Sequence, residues 1–220
     1  MIAGVDEAGR GPVLGPLVIC AFACPSAVQE KLRALGVRDS KQLTPEQRER
    51  IAKEIEKLGE FVLVEISAEE LTLLMGKRVS LNEIEAQKIG IALNHLEQKT
   101  GSLVEVFVDS PDSQPKKFEL RLRKYYSGKA KIVSENRADS KYAVVGAASI
   151  LAKVLRDGRI DELKKEFGED LGSGYSHDER TIAFLKKHIN GNVALQRHIR
   201  HKWKTAKNLK ETQLPLSKYF

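Results

Sequence analysis

The sequence predicts an α/β protein in which a sheet domain carries a small helical appendage at its C-terminal end. Five short apolar runs have the length and the flanking turn residues of strands, and longer segments between them carry the N-caps and periodic apolar residues of helices. Strands mixed with helices are typical of a sheet covered by helices, and the last segments of the chain are helical only. At 220 residues the chain can form one domain with an appendage.

The composition argues against a membrane protein. The apolar fraction of 41% and the charged fraction of 30% are ordinary for a soluble globular chain, and no run approaches the roughly 20 apolar residues of a spanning helix. The start lacks a basic region and cleavage site of a signal peptide, so we predict a cytosolic protein. Cys20 and Cys24 would lie about 13 Å apart on one strand, too far for a disulfide, and we interpret them as buried thiols.

The net charge of +7 is concentrated near the C-terminal end. Residues 186–210 contain eight Lys or Arg and no acidic residue, while the rest of the chain is close to neutral. A concentrated basic segment usually contacts a polyanion, of which nucleic acid is the commonest.

The first strand ends in a pair of carboxylates beside a turn. Ile2 to Val5 read as a buried strand that delivers Asp6 and Glu7 to its carboxyl end, and residues 9–12, Gly-Arg-Gly-Pro, forbid continuation of the strand. Two glycines around an arginine let the backbone approach a ligand closely, which favours a functional site; the alternative is a surface turn with an acidic start. Leu17 to Cys24 form the second predicted strand.

Clear capping signals define the next elements. Thr44, Pro45 and Gln47 begin a helix that runs to about Leu58. Before it lie a short helix at Ser26 to Leu35 and a polar loop at 37–41; after it lie a strand at Phe61 to Ile66, a short helix at Ser67 to Leu74 and a long helix from Ser80 to Gly101.

A second aspartate ends a later strand. The strand at Val104 to Asp109 is followed by a turn, as the first strand is, and by a helix at Lys116 to Tyr126 and a strand at Ala130 to Ser134. Asp139 then precedes a long helix, Lys141 to Phe167, whose first half is rich in small residues that let it approach the sheet. Asp139 also has an alternative interpretation as the N-cap of that helix.

The last part of the chain is a turn at 172–175 followed by two predicted helices. One runs from Asp178 to His188, and the other begins at Asn192. In the second helix the pattern predicts an apolar stripe of Leu195, Ile199, Trp203 and Ala206, with Arg197, Arg200, Lys204 and Lys207 away from it.

Six motifs, in order along residues 2–205, carry a family resemblance. Asp6-Glu7-Ala8-Gly9-Arg10-Gly11-Pro12 closely resembles the signature of the type 2 ribonucleases H (ribonuclease HII), and the helix motif at 147–154 is also specific. The weaker matches are Arg38-Asp39-Ser40-Lys41, the strand ending at Asp109 with Ala138-Asp139, and Gly172-Ser173-Gly174-Tyr175. The resemblance implies a ribonuclease H-like mixed five-stranded sheet with flanking helices, plus the small helical C-terminal appendage, in a single-chain archaeal form that we expect to be a monomer.

The same resemblance implies the site residues. Asp6, Glu7, Asp109 and Asp139 match the four catalytic, metal-binding carboxylates of the family. Gly9, Arg10 and Gly11 match its reader of the ribonucleotide 2′-hydroxyl, and Tyr175 matches the tyrosine at the RNA–DNA junction, although Ser176 stands where proline is common. We expect Arg38, Lys41 and Lys153 to hold phosphates.

Metal binding gives a chemical reason for the four carboxylates. Without a cation they would repel one another and take up protons, and hard oxygen ligands suit Mg²⁺ or Mn²⁺. Two such ions stabilise charge on the attacking and leaving oxygens of a phosphodiester. The five histidines show no metal-ligand spacing.

The tail resembles a short partner motif. Gln213, Leu216, Tyr219 and Phe220 are similar to the motif by which archaeal and eukaryotic replication proteins bind the sliding clamp (PCNA); the alternative is that these side chains dock on their own domain. We therefore predict a catalytic domain at 1–175, a basic helical part at 176–210 and a tail at 211–220.

These observations predict an endoribonuclease that cuts the RNA strand of RNA/DNA hybrids and single ribonucleotides embedded in duplex DNA. Cleavage is expected 5′ to the ribonucleotide, leaving 5′-phosphate and 3′-hydroxyl ends. One alternative is another metal nuclease of this fold, such as a junction resolvase or an integrase, which would not need the ribose-reading turn. The other is a non-catalytic module that binds clamp and nucleic acid, which would not need the carboxylates.

Overall fold

A mixed five-stranded sheet is the centre of the structure, a computed structural model that describes residues 1–37 and 43–212. Its strands lie in the order β3-β2-β1-β4-β5, with β1 antiparallel to β2 and parallel to β4, and with β4 parallel to β5. The predicted five-stranded mixed sheet is therefore confirmed. The strands are β1 (Ile2–Ala8), β2 (Leu17–Cys24), β3 (Glu60–Ile66), β4 (Glu105–Asp109) and β5 (Lys131–Glu135).

Helices follow the capping signals closely. Thr44, Ser67, Ser80 and Asp178 each accept a backbone hydrogen bond as N-caps of the helices that they begin. After a 3₁₀ turn at Ser26–Val28, the helices are α1 (Gln29–Ala34), α2 (Pro45–Glu56), α3 (Ala68–Gly76), α4 (Leu81–Thr100), α5 (Pro115–Leu122), α6 (Ala138–Lys141), α7 (Ala143–Phe167), α8 (Glu179–His188), α9 (Val193–Gln196) and α10 (Lys204–Thr212).

The described residues divide into two units, each with its own apolar core. The first unit, residues 1–8, 18–37, 43–65 and 80–155, contains the sheet and the first half of α7. The second unit, residues 9–17, 66–79 and 156–212, is mainly helical, and its core includes Leu14, Ile160, Leu185 and Ile199. The predicted domain boundaries at residues 175 and 210 stay a prediction.

Strand β1 and helix α7 pack with their backbones in close approach. A Cβ atom added at Gly4 would lie 2.2 Å from the carbonyl carbon of Val144, so only glycine fits at this position. The first half of α7 is buried and rich in alanine, as the small residues of this segment predict. Ser149 lies in this first half of α7, within the first unit, and is fully buried.

Both cysteines lie on β2 as free, buried thiols, as predicted. Burial raises the pKa of Cys20 far above its ordinary value, and the charge of Asp6, its partner in the strand register, raises it further. Burial also raises the pKa of Cys24, to about 11. The two thiols are therefore protonated at neutral pH.

The long helix predicted from Asn192 is wrong. Helix α9 ends at Gln196, and Ile199 then forms an antiparallel bridge with Leu14 before α10 begins. The backbone N–H of Gly15 donates to the carbonyl of His198, and residues 197 and 198 form a turn and not a further helical turn of α9. Arg200, expected on the polar face of a helix, is instead fully buried. An apolar spacing of three to four residues suits a helix, but here tertiary packing places the same residues in a core.

None of the helices in the described part of the chain is both long enough and apolar enough to cross a membrane.

Candidate active site

Three aspartates from distant parts of the sequence meet in the first unit. Val5 of β1 pairs in register with Val108 of β4, so the next residues, Asp6 and Asp109, stand side by side at the carboxyl ends of two parallel strands. Asp139 joins them from α6. One carboxylate oxygen of each lies within 4.8 Å of one oxygen of each of the others. The three aspartates that the sequence analysis grouped together therefore lie close together in the first unit.

Backbone N–H groups orient each of the three carboxylates. The N–H of Glu7 donates to Asp6 Oδ1 at 2.8 Å, and that of Ala138 donates to Asp109 Oδ1 at 2.9 Å. Asp139 Oδ1 accepts from the N–H of Ser140 at 3.0 Å. Asp139 lies inside α6, whose N-cap is the left-handed Arg137, and the long helix α7 begins only at Ala143, so Asp139 is not the N-cap of that helix.

The electrostatics of the group favour a cation. Burial, followed by the charge of Asp109, raises the pKa of Asp6 to about 7, although a hydrogen bond from Ser149 and the charge of Lys153 act in the opposite direction. Lys153 Nζ donates to Ser149 Oγ at 2.8 Å, so lysine, serine and aspartate form a chain. A divalent cation would replace the proton and remove the repulsion. Carboxylate oxygens at this spacing, from two buried aspartates and the half-buried Asp109, fit a hard ion such as Mg²⁺ or Mn²⁺.

Glu7 is not part of this three-carboxylate group. It follows Asp6 directly on β1, and successive side chains of a strand point to opposite faces. Its predicted role as a fourth ligand stays a prediction. Within residues 1–37 and 43–212 this is the one group of three or more His, Cys, Asp or Glu side chains close enough to share an ion, and it contains no histidine or cysteine.

The glycine turn that follows β1 belongs to the second unit. Gly9 has φ +84°, and a Cβ there would lie 2.7 Å from the carbonyl oxygen of Pro16, so the position requires glycine. Gly11 is exposed, and a Cβ there would lie 3.6 Å from the ring of Tyr175. The turn and the predicted junction tyrosine are thus neighbours within this unit.

Hydrogen bonds hold the loop of residues 172–175, here called the tyrosine loop, against the segment that follows the glycine turn. The N–H groups of Val13 and Leu14 donate to the carbonyl of Gly174 at 2.9 and 3.2 Å. The guanidinium of Arg156 lies 5.0 Å from the centre of the Tyr175 ring and donates to the carbonyl of Ser173. Such a cation over an aromatic face contributes about 0.5–2 kcal/mol.

Sequence reasoning missed three residues around these groups: Ser149, Arg156 and Arg200. Ser149 lies within a recognised motif, but its hydrogen bond to Asp6 depends on how α7 packs on the sheet. The two arginines are 5% and 0% exposed. The local sequence gives no signal of their burial, because Arg200 stands in the basic segment and Arg156 is followed by Asp157.

Six predicted site residues lie outside the described residues. They are Arg38 and Lys41 of the polar loop and Gln213, Leu216, Tyr219 and Phe220 of the tail.

Comparisons with known proteins agree with the fold and show the family. The sequence matches the family Ribonuclease HII over residues 3–206. Ribonuclease HII of Pyrococcus furiosus is 39% identical over 226 residues, covering 100% of this chain and 98% of the relative. The crystal structure of ribonuclease H2 from Pyrococcus horikoshii OT3 has a TM-score of 0.84 at 38% identity and covers 96% of this chain and 97% of that one. The structure of the PCNA:RNase HII complex from Archaeoglobus fulgidus has a TM-score of 0.83 at 39% identity, covering 99% of this chain and 100% of that one.

Proposed function

The chain belongs to the ribonuclease HII family, in its archaeal form, and is a metal-dependent endonuclease that cuts RNA in RNA/DNA hybrids; from this premise we propose a second substrate, single ribonucleotides embedded in duplex DNA. Cleavage is on the 5′ side of the ribonucleotide and leaves 5′-phosphate and 3′-hydroxyl ends. The observation that carries this proposal is the presence of two distinct devices in one chain, an aspartate group suited to cations and a glycine turn beside a tyrosine.

Asp6, Asp109 and Asp139 hold the cations, with Glu7 as the fourth proposed ligand. Two divalent ions, Mg²⁺ or Mn²⁺, supply stabilisation of the charge on the attacking and leaving oxygens when bound. The backbone donors to the three aspartates keep their oxygens aimed at one point before a cation arrives. Ser149 and Lys153 favour the ionised form of Asp6, the form that a cation needs.

The turn of residues 9–11 reads the ribose. The 2′-hydroxyl is the group that distinguishes RNA from DNA at a given position. Backbone groups of Gly9, Arg10 and Gly11 reach it, since the exposed Gly11 has no side chain to block the approach. Tyr175 stacks on the neighbouring deoxyribose.

Phosphate contacts position the duplex without reading its sequence. Lys153 is half-buried beside Ser149, and its ammonium is one candidate for such a contact. Arg38 and Lys41 are the others. Contacts of this type carry no base information, so we expect little sequence preference.

The test compares a duplex containing one ribonucleotide with its all-DNA twin, with Mg²⁺ and with EDTA. We expect cleavage of the first duplex only, at the 5′ side of the ribonucleotide, and none in EDTA. Equal cutting of both duplexes would favour a general metal nuclease of this fold. Binding of either duplex without any cutting would favour a non-catalytic module.

We further propose that Gln213, Leu216, Tyr219 and Phe220 bind a sliding clamp. Support comes from the motif itself and from the related Archaeoglobus fulgidus protein, whose structure is a PCNA:RNase HII complex. We propose a monomeric enzyme, in which one chain carries both the catalytic residues and the clamp motif.

Deletion of residues 213–220 tests the clamp proposal. The truncated protein is expected to lose clamp binding in calorimetry while its cleavage of a free duplex continues. A variant with the same eight residues in scrambled order is the matched control for length and charge. Clamp affinity that survives both changes would refute the motif.

A further inference from the structure

The buried side chain of Arg200 donates hydrogen bonds to backbone carbonyls of the turn of residues 9–11. Arg200 Nη2 donates to the carbonyl of Gly9 at 2.6 Å, Nη1 donates to the carbonyl of Arg10 at 3.0 Å, and Nε donates to the carbonyl of Gly15 at 2.9 Å. The side chain is fully buried, and its guanidinium lies 5.0 Å from the centre of the Trp203 ring. Charged donors make hydrogen bonds roughly twice as strong as neutral ones.

The backbone bridge between Leu14 and Ile199 holds Arg200 itself in place. Its backbone N–H donates to the carbonyl of Val13 at 2.9 Å, and the N–H of Gly15 donates to the carbonyl of His198 at 2.9 Å. The guanidinium is therefore presented to the turn from a fixed backbone, and not from the end of a mobile surface side chain.

Planarity of the peptide unit links these carbonyls to the ribose-reading groups. In a trans peptide the C=O of one residue and the N–H of the next point in opposite directions. Carbonyls of Gly9 and Arg10 that point inward to Arg200 thus turn the N–H groups of Arg10 and Gly11 away from it. Gly11 is exposed, so its N–H is presented on the outer side of the turn.

We propose that Arg200 is a positioning residue that determines the preference for ribose, acting through the backbone of the turn and not by touching the substrate. The inference rests on the proposed function, in which residues 9–11 read the 2′-hydroxyl. Arg200 has a fork of donors that matches three carbonyls at once. Lysine has the charge but not the fork, so it cannot hold the Gly9 and Arg10 carbonyls in the same geometry.

The test measures binding without chemistry. In an Asp109→Asn background, the affinity for a duplex with one ribonucleotide is divided by the affinity for the all-DNA twin. We expect Arg200→Lys and Arg200→Gln to lower this ratio by a few-fold to about tenfold, the effect of one hydrogen bond, while affinity for the all-DNA duplex stays within about twofold. The matched control is Leu185→Ala, a large-to-small change in the core of the same unit.

Folding is checked by circular dichroism, and each variant is measured at a temperature at which it is folded. A general loss of stability lowers both affinities together, as expected for Leu185→Ala, and leaves their ratio unchanged. A ratio that is preserved in both Arg200 variants overturns the proposal for Arg200. Failure of the proposed function looks different: the Asp109→Asn protein with Arg200 intact would then show no preference for the ribonucleotide.

Discussion

The aspartate group and the turn of residues 9–11 are held in place by opposite electrostatic means. In the first, N–H donors aim three negative side chains at one point, and the charges repel one another until a cation is bound. In the second, carbonyl oxygens converge on a cation that the chain supplies itself, the guanidinium of Arg200. The aspartate group therefore needs a cation from solution, whereas the turn is held by a positive charge that the folded chain itself provides.

The strongest way to break the first region is Asp109→Asn. The change removes one negative ligand, and we expect cleavage to fall by at least about 10³-fold because several kcal/mol of charge stabilisation are lost. Duplex affinity is expected to be largely kept. Single-turnover cleavage and a binding titration measure the two quantities.

Asp112→Asn is the matched control for that change. Asp112 lies three residues further on and accepts hydrogen bonds from Asn82 and Gln114, outside the aspartate group. We expect it to cleave at close to the wild-type rate. Equal losses in the two variants would contradict a metal-binding role that is specific to Asp109.

The stability of the metal-free protein depends on pH through Asp6. The pKa of Asp6 is raised from 3.8 to about 7, so the native state holds this proton more tightly than the unfolded chain does. The contribution of Asp6 to the free energy of unfolding of the metal-free protein therefore falls as pH rises from about 4 to about 7, on the order of a few kcal/mol in total. Asp6→Asn is expected to remove this fall.

Denaturant unfolding in EDTA at pH 5 and pH 8 measures the difference between wild type and Asp6→Asn. Mg²⁺ is expected to stabilise the wild type at pH 8 and to have much less effect on the variant. A variant whose pH profile matches that of the wild type would show that Asp6 titrates normally.

The turn can be broken through its backbone. Gly9→Ala forces a side chain into a left-handed conformation and against the carbonyl of Pro16, so we expect a loss of about 2–3 kcal/mol in the free energy of unfolding. Gly158→Ala is the control, because Gly158 lies within α7 with open space around it; alanine there is expected to stabilise by about 0.5–1 kcal/mol. Chemical denaturation distinguishes opposite signs directly.

The smallest expected effect concerns the tyrosine loop. Asp178 accepts from the N–H of Ser173 at 2.8 Å and caps α8, and its hydrogen bonds with Arg180 hold its pKa below the ordinary range. Its stabilisation is therefore present above about pH 4 and is lost as pH falls through the lowered pKa. We expect Asp178→Ala to cost about 1–2 kcal/mol at pH 7 and less in acid. Thermal melting at pH 7 and in acid measures this loss. Asp161→Ala, at an exposed site on α7, is the control and is expected to change the stability little.

Local signals made most of the fold predictable. N-cap residues bond to backbone groups only a few positions away, so the start of a helix can be read locally. Apolar runs of strand length between turn residues identify the strands in the same way. The aspartates were predictable because Asp6 and Asp109 each follow an apolar strand and precede a turn, and because the family signature points to the same residues. Arg200 was not, since its partners at Gly9 and Gly15 lie 191 and 185 positions away. The prediction of a long helix from Asn192 failed for the same reason, because the bridge between Ile199 and Leu14 is a tertiary contact.

The two thiols of β2 allow transient opening of the sheet to be measured by alkylation. Alkylating reagents attack the exposed thiolate, and Cys20 and Cys24 are buried and protonated. The rate at which the folded protein is alkylated thus follows the transient separation of β2 from its neighbours. Because Cys20 stands opposite Asp6 in the register, slower alkylation on addition of Mg²⁺ would record how far a cation at the carboxylates tightens the whole sheet, without any added label.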